Sequence, residues 1–452
     1  MRAARHLPCA HASGAAAPPP AGAGQRARRR PRCAPNAFVA AAAAAAAAPW
    51  PSQQPQPRLV YVLDEAPGHA KDAHPEGPQR VRAIAAALAA AGLEAHGAAP
   101  LGAAAAAAWR GAAAREALQR VHPPQYLERL ESICRGLEAP TLVDESTYIA
   151  PGSFLAGLEA MAAVLACLDA VMGGPDRAGD ESGGGQSSGG GGQSSSDGQR
   201  SGAPNAGSEG GRRGCAGFCV VRPPGHHVTP SRPMGFGLLN LVAAAAATAK
   251  ARPGVARVMV LDFDVHHGNG SEAAFEADAS VLYLSLHQQG LWPYTGKAAF
   301  VGIGEGAGAT INVPLPGGAG DAAARLAWGA VVAPAARRFK PDVLIVSAGY
   351  DAHWRDPLAA LQLCSSSFHW MGAGARALAD ELCGGRVLLV LEGGYHLESL
   401  GESVAETLRG VLGLPPATPP PEELAAARLL QPEPMARAQR AVEDAVRRHR
   451  LG

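Results

Sequence analysis

The chain has 452 residues with 40 basic and 39 acidic side chains, so its formal net charge at pH 7 is only +1. A nucleic-acid-binding protein is expected to carry an excess of basic residues, which this chain lacks. We therefore expect no direct nucleic acid binding. Eight cysteines occur without a C-x-x-C pair, which argues against a zinc finger or a redox dithiol and favours a reducing compartment.

The first 57 residues contain no Asp or Glu, while arginines are spread among Ala, Pro and Gly at positions 2, 5, 26, 28, 29, 30 and 32. An acid-poor, Arg-rich N-terminus of this kind is typical of a transit peptide for a chloroplast or mitochondrion. A disordered basic tail, or a nuclear signal at 28–30 in a nuclear or cytoplasmic protein, is the alternative. The alanine run 40–48 is too short to cross a membrane and no other segment qualifies, so we expect a soluble protein.

Ordered structure is predicted to begin with a strand at 59–63, followed by helices at 79–90 and 153–172. Residues 173–214 are almost entirely Gly, Ser, Gln, Asp and Arg, a composition that cannot bury a core. We interpret this segment as a disordered insertion within one catalytic domain, 58–414, because strand-like sequence resumes immediately after it. A true domain boundary is the alternative.

After the insertion, apolar runs typical of strands alternate with helical stretches. The predicted strands are 218–221, 258–261, 281–284, 343–346 and 387–391. Continuous Val, Leu and Ile runs separated by helices such as 239–250 and 321–339 predict an α/β domain with a mainly parallel central sheet flanked by helices. In such sheets the ligand site lies beyond the C-terminal ends of the strands. The tail, 415–452, is Pro-rich and then predicted to be helical over 422–449, packed on the domain or on a partner.

Polar side chains follow each predicted strand of this second part of the chain. The motifs are Arg222 to His227, Asp262 to Gly270, Ser285 to His287, Ser347 to Asp351 and Glu392 to Tyr395. Asp264 and His266 lie two residues apart, so on an extended backbone both side chains point the same way. A carboxylate and an imidazole on one face form half of a site for a divalent ion such as Zn²⁺.

In combination these motifs resemble the zinc-dependent histone deacetylase superfamily, which has the arginase-deacetylase fold, over residues 58–414. Details such as Asn269 after the two histidines resemble the class II branch, and within it the plant deacetylases of plastids and mitochondria. The resemblance implies that Asp264, His266 and Asp351 bind one catalytic Zn²⁺. Three protein ligands leave a fourth position open for water, as a catalytic zinc site requires.

The resemblance also implies the catalytic side chains. His227 would take a proton from the attacking water and pass one to the leaving amine, while His226 orients the water. Asp262 would hold His226 in place. Asn269 would hold His227, and because Asn is neutral we expect His227 to stay unprotonated more readily near neutral pH. The phenol of Tyr395 would stabilise the oxyanion.

The same resemblance predicts the substrate contacts. They are two aromatic walls at Phe236 and Trp292, a neutral gatekeeper at Leu358, and the glycines Gly235 and Gly394, the second of which allows close backbone approach. A neutral gatekeeper favours acetyl-lysine in a protein, or a neutral N-acetyl arylalkylamine, over an acetylpolyamine. The opposite rim of the tunnel is predicted around residues 69–76, with no narrowing insertion.

A structural monovalent ion, K⁺, is implied beside the zinc by the resemblance. Its ligands would be the oxygens of Asp262, Asp264 and Ser285 and the backbone carbonyls of His266 and Leu286. A second cluster of Asp351, His353 and Asp356 would instead make a binuclear, arginase-type hydrolase. Its spacing is one residue too long, so we favour the mononuclear site.

We therefore predict a zinc-dependent deacetylase that hydrolyses the acetyl amide of N6-acetyl-lysine, with an acetylated protein or peptide as its partner. The alternatives are a deacetylase of small acetylated amines, such as N-acetyl arylalkylamines or acetylpolyamines, and a non-catalytic binder of acetyl-lysine. No membrane partner is predicted, and the sequence leaves the oligomeric state open.

Overall fold

The computed structural model describes residues 58–173, 214–417 and 430–451. The strands in these residues are β1 Leu59–Leu63, β2 Ala98–Pro100, β3 Thr141–Leu142, β4 Tyr148–Ile149, β5 Ala216–Val220, β6 Val258–Asp262, β7 Val281–Gln288, β8 Thr310–Leu315, β9 Val343–Ala348 and β10 Val387–Leu391. Eight of them form one sheet in the order β2-β1-β5-β10-β9-β6-β7-β8, and β3 and β4 form a separate hairpin. Every neighbouring pair in the large sheet is parallel.

The predicted mainly parallel sheet is confirmed, and its predicted strands correspond to β1, β5, β6, β7, β9 and β10. β7 continues to Gln288 because it pairs with β8, where His287 lies opposite Pro314. β8 was not predicted, since a proline is unusual inside a strand; β8 is the last strand in the sheet order, and an edge strand tolerates the missing N–H donor.

The α-helices in the described residues are α1 Gln79–Ala91, α2 Ala103–Ala107, α3 Ala112–Gln119, α4 Pro124–Gly136, α5 Ser153–Met172, α6 Leu241–Lys250, α7 Asn269–Phe275, α8 Asp321–Ala327, α9 Ala333–Phe339, α10 Ser365–Leu382, α11 Leu397–Leu412 and α12 Met435–His449. Gly92 ends α1 in the left-handed conformation, with φ of 61°. The helix predicted over 321–339 is confirmed as one continuous helical segment, with a π-helical turn at Trp328–Val332 between α8 and α9. Pro334 has no N–H to donate to the preceding turn, which accounts for the irregularity.

Both faces of the sheet are buried, which explains the continuous apolar runs. In β6, Met259 and Leu261 belong to one hydrophobic core, and Val258 and Val260 belong to the other. Alternate residues of a strand point to opposite faces, so β6 supplies both cores. The first core also contains residues of α1 and α8 to α12, and the second contains residues of α3 to α6.

The helix α5 lies against the middle of the sheet. By length and composition it is apolar enough to cross a membrane, contrary to the expectation that no segment would qualify. However, 72% of the most apolar stretch of this helix is buried inside the protein, where the helix packs on β1, β5 and β10. In the described structure, α5 is a core helix.

The predicted insertion is joined to the edge of the sheet at which the strands begin, which we call the amino edge. α5 runs antiparallel to the strands, since a Cβ at Gly217, near the start of β5, would lie 2.8 Å from the Val171 side chain near the end of α5. After the insertion, the N–H of Gly214 donates to the carbonyl of Gly384 (2.7 Å), just before β10. Residues 174–213 themselves lie outside the described residues, as do 1–57 and 418–429.

The described part of the C-terminal tail packs on the domain. α12 begins only at Met435, after Pro432 and Pro434, so the predicted helix over 422–449 is wrong for residues 430–434. Its buried face consists of Ala438, Val442, Ala445 and His449. Its apolar members join the core that contains β8. The Glu433 carboxylate accepts the N–H groups of three residues at the start of α8, namely Gly320, Ala322 and Ala323.

Candidate active site

The predicted metal ligands meet at the edge where the strands end, which we call the carboxyl edge. β6 stops at Asp262, so Asp264 and His266 lie in a loop and the extended geometry predicted for them is wrong. The loop turns because Asp264 Oδ1 accepts the His266 N–H (2.8 Å). Asp351, after β9, approaches the same loop and its Oδ1 accepts the Val265 N–H (3.0 Å).

These three side chains form a compact donor set. His266 Nδ1 lies 3.2 Å from Asp264 Oδ1 and 3.0 Å from Asp351 Oδ2. Around a tetrahedral ion with bonds of about 2.0–2.2 Å, neighbouring donors are about 3.3–3.6 Å apart, so a small outward shift would admit a metal. Two carboxylates and an imidazole suit a divalent ion. The residues present therefore fit the implied metal.

Burial makes this donor set electrostatically unusual. Burial and the negative charge of Asp264 raise the pKa of Asp351 to about 7, although His266 opposes the shift. Burial alone would lower the pKa of His266, but the two carboxylates outweigh it and raise that pKa to about 10. The arrangement thus favours a positive charge between the carboxylates, which is the role of a bound cation.

Two glycines let the backbone approach the Asp264 carboxylate. A Cβ at Gly349 would lie 1.9 Å from Asp264 Oδ2, which no real contact permits. The N–H of Gly393 donates to the same oxygen (2.8 Å), and a Cβ there would lie 2.1 Å from Asp351 Oδ2. The strand ends that carry these glycines can therefore converge on the metal ligands.

The tandem histidines have different partners and opposite pKa shifts. His226 Nδ1 lies 3.0 Å from Asp262 Oδ2, and nearby carboxylates raise the pKa of His226 well above its usual value although burial opposes them. His227 Nδ1 donates to Asn269 Oδ1 (2.9 Å). Burial and the positive charges of His226 and His266 hold the pKa of His227 well below its usual range. These influences favour the neutral imidazole of His227, in which Nε2 carries the free lone pair.

Glu392 holds the loop that carries both histidines. One of its carboxylate oxygens accepts the N–H groups of Gly225 (2.7 Å) and His226 (3.1 Å). Burial raises the pKa of Glu392 to about 7. The sequence analysis included Glu392 in a motif but predicted no role for it. Its hydrogen bonds to the histidine loop become visible only because β10 packs beside β5.

Tyr395 is fixed from three sides. Its N–H donates to Asp356 Oδ2 (2.7 Å), its ring lies 5.5 Å from the Phe236 ring, and the guanidinium of Arg80 lies 5.0 Å over its ring centroid. Arg80 is fully buried on α1 and donates to the Gly394 carbonyl (2.7 Å). Burial raises the pKa of Tyr395 well above its usual value, so the phenol stays a hydrogen-bond donor.

The loop 69–76, around which the opposite rim of the tunnel is predicted, is exposed at residues 72, 73 and 75, and its role as a rim stays a prediction. His69 and Glu76 are fully buried. Glu76 pairs with the fully buried Arg222 through both carboxylate oxygens, and it lies 3.5 Å from Arg80. Neither contact of Glu76 was predicted. The four-residue spacing of Glu76 and Arg80 was a readable signal for the second contact, whereas no local pattern marks the pair of Glu76 with Arg222.

The two predicted aromatic walls lie on either side of the candidate site. The Trp292 ring lies 4.7 Å from the His227 ring and 6.4 Å from the His266 ring, while Phe236 contacts Tyr395. Phe236 has a positive φ of 65°, and its N–H donates to Thr147 Oγ1 (3.1 Å).

The predicted gatekeeper and glycines lie beside these walls. A Cβ at Gly235, where φ is 60°, would lie 2.2 Å from the His227 ring, so only glycine fits there. Gly394 also has a positive φ, of 117°. Leu358 is 36% exposed, and its N–H donates to Oδ1 of Asp356 (3.0 Å), the carboxylate that also accepts the Tyr395 N–H.

Two of the predicted potassium ligands, Asp262 and Ser285, lie opposite each other on β6 and β7. Asp262 Oδ1 accepts the Asp264 N–H (3.1 Å), while the Ser285 hydroxyl contacts His287 Nδ1 (2.9 Å). The roles predicted for these residues stay predictions.

The binuclear alternative gains no support from the described residues. Within 58–173, 214–417 and 430–451, one group of three or more possible metal ligands occurs, and it is Asp264, His266 and Asp351. His353 instead contacts Ser365 through Nε2 (3.3 Å) and accepts the Arg355 N–H through Nδ1 (3.1 Å).

Known proteins share this architecture. A model of the histone deacetylase domain matches residues 74–411. Histone deacetylase 10, chloroplastic, of Oryza sativa subsp. japonica is 39% identical over 399 residues, which are 87% of this chain and 81% of that protein. Polyamine deacetylase HDAC10 of Homo sapiens is 44% identical over 205 residues, which are 44% of this chain and 30% of that protein. The crystal structure of the HDA15 HD domain matches with a TM-score of 0.67 and 30% identity, covering 87% of this chain and 94% of that one. The chain therefore belongs to the histone deacetylase family.

Proposed function

We propose that the protein is a Zn²⁺-dependent hydrolase that removes the acetyl group from N6-acetyl-lysine in proteins. The observation that carries this proposal is the buried group of Asp264, His266 and Asp351, with the neutral base His227 and the donor Tyr395 beside it. Zn²⁺ bound there would polarise the amide carbonyl and lower the pKa of water.

The side chains of this chain would divide the remaining work. His227 Nε2 takes one proton from the attacking water as its oxygen bonds to the carbonyl carbon. The Tyr395 hydroxyl donates to the carbonyl oxygen while negative charge develops on it. When the C–N bond breaks, the imidazolium of His227 returns that proton to the lysine nitrogen and acetic acid forms. The acid then gives its remaining proton to the free lysine amine, so the products are acetate and a lysine ammonium group. Asn269 keeps Nδ1 of His227 as a donor, so Nε2 alone exchanges the proton.

The substrate class follows from the walls of the site. Phe236 and Trp292 present apolar surface to the aliphatic stem of acetyl-lysine. Leu358 offers no charge to a second amine, which disfavours an acetylpolyamine. Because the human relative is named a polyamine deacetylase, small acetylated amines are the second candidate class.

Parallel kinetics on the zinc-loaded protein would test the proposal. We expect kcat/KM to be highest for an acetyl-lysine peptide, lower for an N-acetyl arylalkylamine and lowest for acetylspermidine. Leu358→Glu should raise turnover of acetylspermidine about fivefold through attraction of its second amine. A preference of the unmodified protein for either small amine would overturn the protein-substrate proposal, and zinc binding without any turnover would support a non-catalytic binder.

The structural ion and the cellular location complete the proposal. We infer a K⁺ site formed by Asp262, Asp264, Ser285 and the carbonyls of His266 and Leu286; replacing K⁺ in the buffer by a bulky organic cation should lower thermal stability. We also propose a plastid location, supported by the acid-poor N-terminus and the chloroplastic relative. Residues 1–60 fused to a fluorescent reporter would test it, and a mitochondrial or nuclear signal would refute it.

A further inference from the structure

His267 has no part in the proposed chemistry, yet it is only 2% exposed beside the ligand His266. Its two ring nitrogens contact two different segments. Nε2 lies 3.2 Å from the Glu272 carboxylate on α7, and Nδ1 lies 2.8 Å from the Thr295 hydroxyl. Because a carboxylate only accepts, Nε2 carries a proton and donates to Glu272, while Nδ1 is hydrogen-bonded to the Thr295 hydroxyl.

Glu272, which accepts the hydrogen bond of this ring, is itself held by a second hydrogen bond. Its other neighbour is Asn312 on β8, whose amide nitrogen donates to the same carboxylate oxygen at 2.6 Å. The His267 ring therefore has its tautomer and orientation set by the body of the domain.

Thr295 belongs to residues 289–297, which we call the wall loop because it carries Trp292. A second tie holds this loop, since His287 Nε2 contacts the Gly296 carbonyl (3.0 Å). The close packing requires glycine at 296, where φ is 74° and a Cβ would lie 2.6 Å from the His267 ring. The wall loop therefore packs directly against the imidazole rings of His267 and His287, whose centroids lie 4.9 Å apart.

We propose that His267 is a positioning residue that ties the wall loop to the metal-ligand loop and so holds Trp292 against His227. The two bonds of His267 set the distance between the loop that binds the metal and the wall that binds the substrate stem. This inference rests on the proposed function. It predicts that breaking the tie weakens substrate binding while the proton transfers continue.

Thr295→Val tests the tie because it removes the hydroxyl and keeps the shape. One neutral hydrogen bond corresponds to about a fivefold effect. We expect KM for an acetyl-lysine peptide to rise about fivefold, with kcat and zinc content unchanged, and Thr295→Ser to restore KM. The matched control is Thr248→Val, whose hydroxyl bonds the Ala244 carbonyl on α6 (2.7 Å), away from the site.

A double-mutant cycle with Trp292→Ala separates positioning from general stability. If the tie acts through Trp292, Thr295→Val adds no further rise in KM once the indole is gone. Additive effects would overturn the proposal, as would a fall in kcat with unchanged KM.

Amide hydrogen exchange gives a readout that needs no turnover. Thr295→Val should speed exchange of residues 289–297 and leave the loop 263–268 unchanged. Unchanged exchange in the wall loop would overturn the tie itself, whereas inactivity of the unmodified protein on every substrate would refute only the proposed function.

Discussion

The two edges of the central sheet treat charge in opposite ways. At the carboxyl edge, Asp262, Asp264 and Asp351 are at most 1% exposed. At the amino edge, Lys250 and Asp278 form an ion pair whose side chains keep 38% and 30% of their exposure. Burying a carboxylate is unfavourable unless a cation or hydrogen-bond donors compensate it. The carboxyl edge buries its carboxylates in spite of that penalty, and it is the edge at which chemistry is proposed.

Backbone donors show how the carboxyl edge tolerates its charges. Asp264 accepts N–H groups from His266 and Gly393, and Glu392 accepts them from Gly225 and His226. Each buried carboxylate therefore also fixes a loop. The difference between the edges teaches that substitutions at the carboxyl edge should change activity, while those at the amino edge should change little besides stability.

Removing a carboxylate from the donor set should have the largest effect. Asp264→Asn replaces a charged ligand by a neutral amide, and we expect activity to fall at least ~10³-fold with loss of bound metal. Metal content per chain and initial rates would be measured together. The matched control at the amino edge is Asp342→Asn, where the Asp342 carboxylate accepts the N–H groups of Ala256 and Arg257. Equal losses in both variants would break the contrast between the edges.

Removing the phenol of Tyr395 should have the next largest effect. Tyr395→Phe should lower kcat about 10²-fold because the developing oxyanion loses a donor, while the metal stays bound. Tyr61→Phe is a suitable control, since Tyr61 donates to Glu94 (2.8 Å) away from the site. Full activity of Tyr395→Phe would remove this residue from the mechanism.

Acid should destabilise the carboxyl edge through His122. Its Nδ1 donates to the Pro230 carbonyl and its Nε2 accepts the Asn240 N–H, and burial lowers its pKa from 6.5 to about 4. The unfolded chain therefore binds the proton more tightly, so this contribution to stability is present above pH 6.5 and is lost as the pH falls towards 4. The loss is about 3 kcal/mol at most. Urea unfolding from pH 7 to pH 4.5 should show this slope, and His122→Gln should flatten it; an unchanged slope would exclude His122 as its source.

Shortening the insertion at the amino edge should have the smallest effect. Both of its ends are joined there, so deletion of residues 182–210 should leave kcat/KM unchanged within about twofold, and flexible loops cost little to shorten. Rates and the melting temperature would be compared with those of the full chain. Aggregation or inactivity of the shortened protein would show that the insertion supports the domain.

The sequence predicts the strands and their polar ends well, because continuous apolar runs bounded by Asp, His and Gly are local signals. It fails where a residue acts on something distant in sequence. Arg80 contacts Gly394, 314 positions away, and no local pattern marks that contact. The prediction that the side chains of Asp264 and His266 lie close together was right, but the extended backbone predicted for them was wrong. A turn stabilised by Asp264 itself replaces the extended strand. The hydrogen bond of His267 to Thr295 could not be predicted either, because no local pattern marks that contact.

The packing of α12 on β8 has a consequence for synthesis of the chain. β8 is an edge strand, and Ile311 and Val313 share one core with Val442 and Ala445 of α12. Translation delivers α12 after β8 and the other strands, so until α12 is made an apolar flank of the sheet stays uncovered beside an edge strand. A stop codon placed before α12 would thus leave the whole carboxyl edge encoded and yet make the shortened protein prone to aggregate.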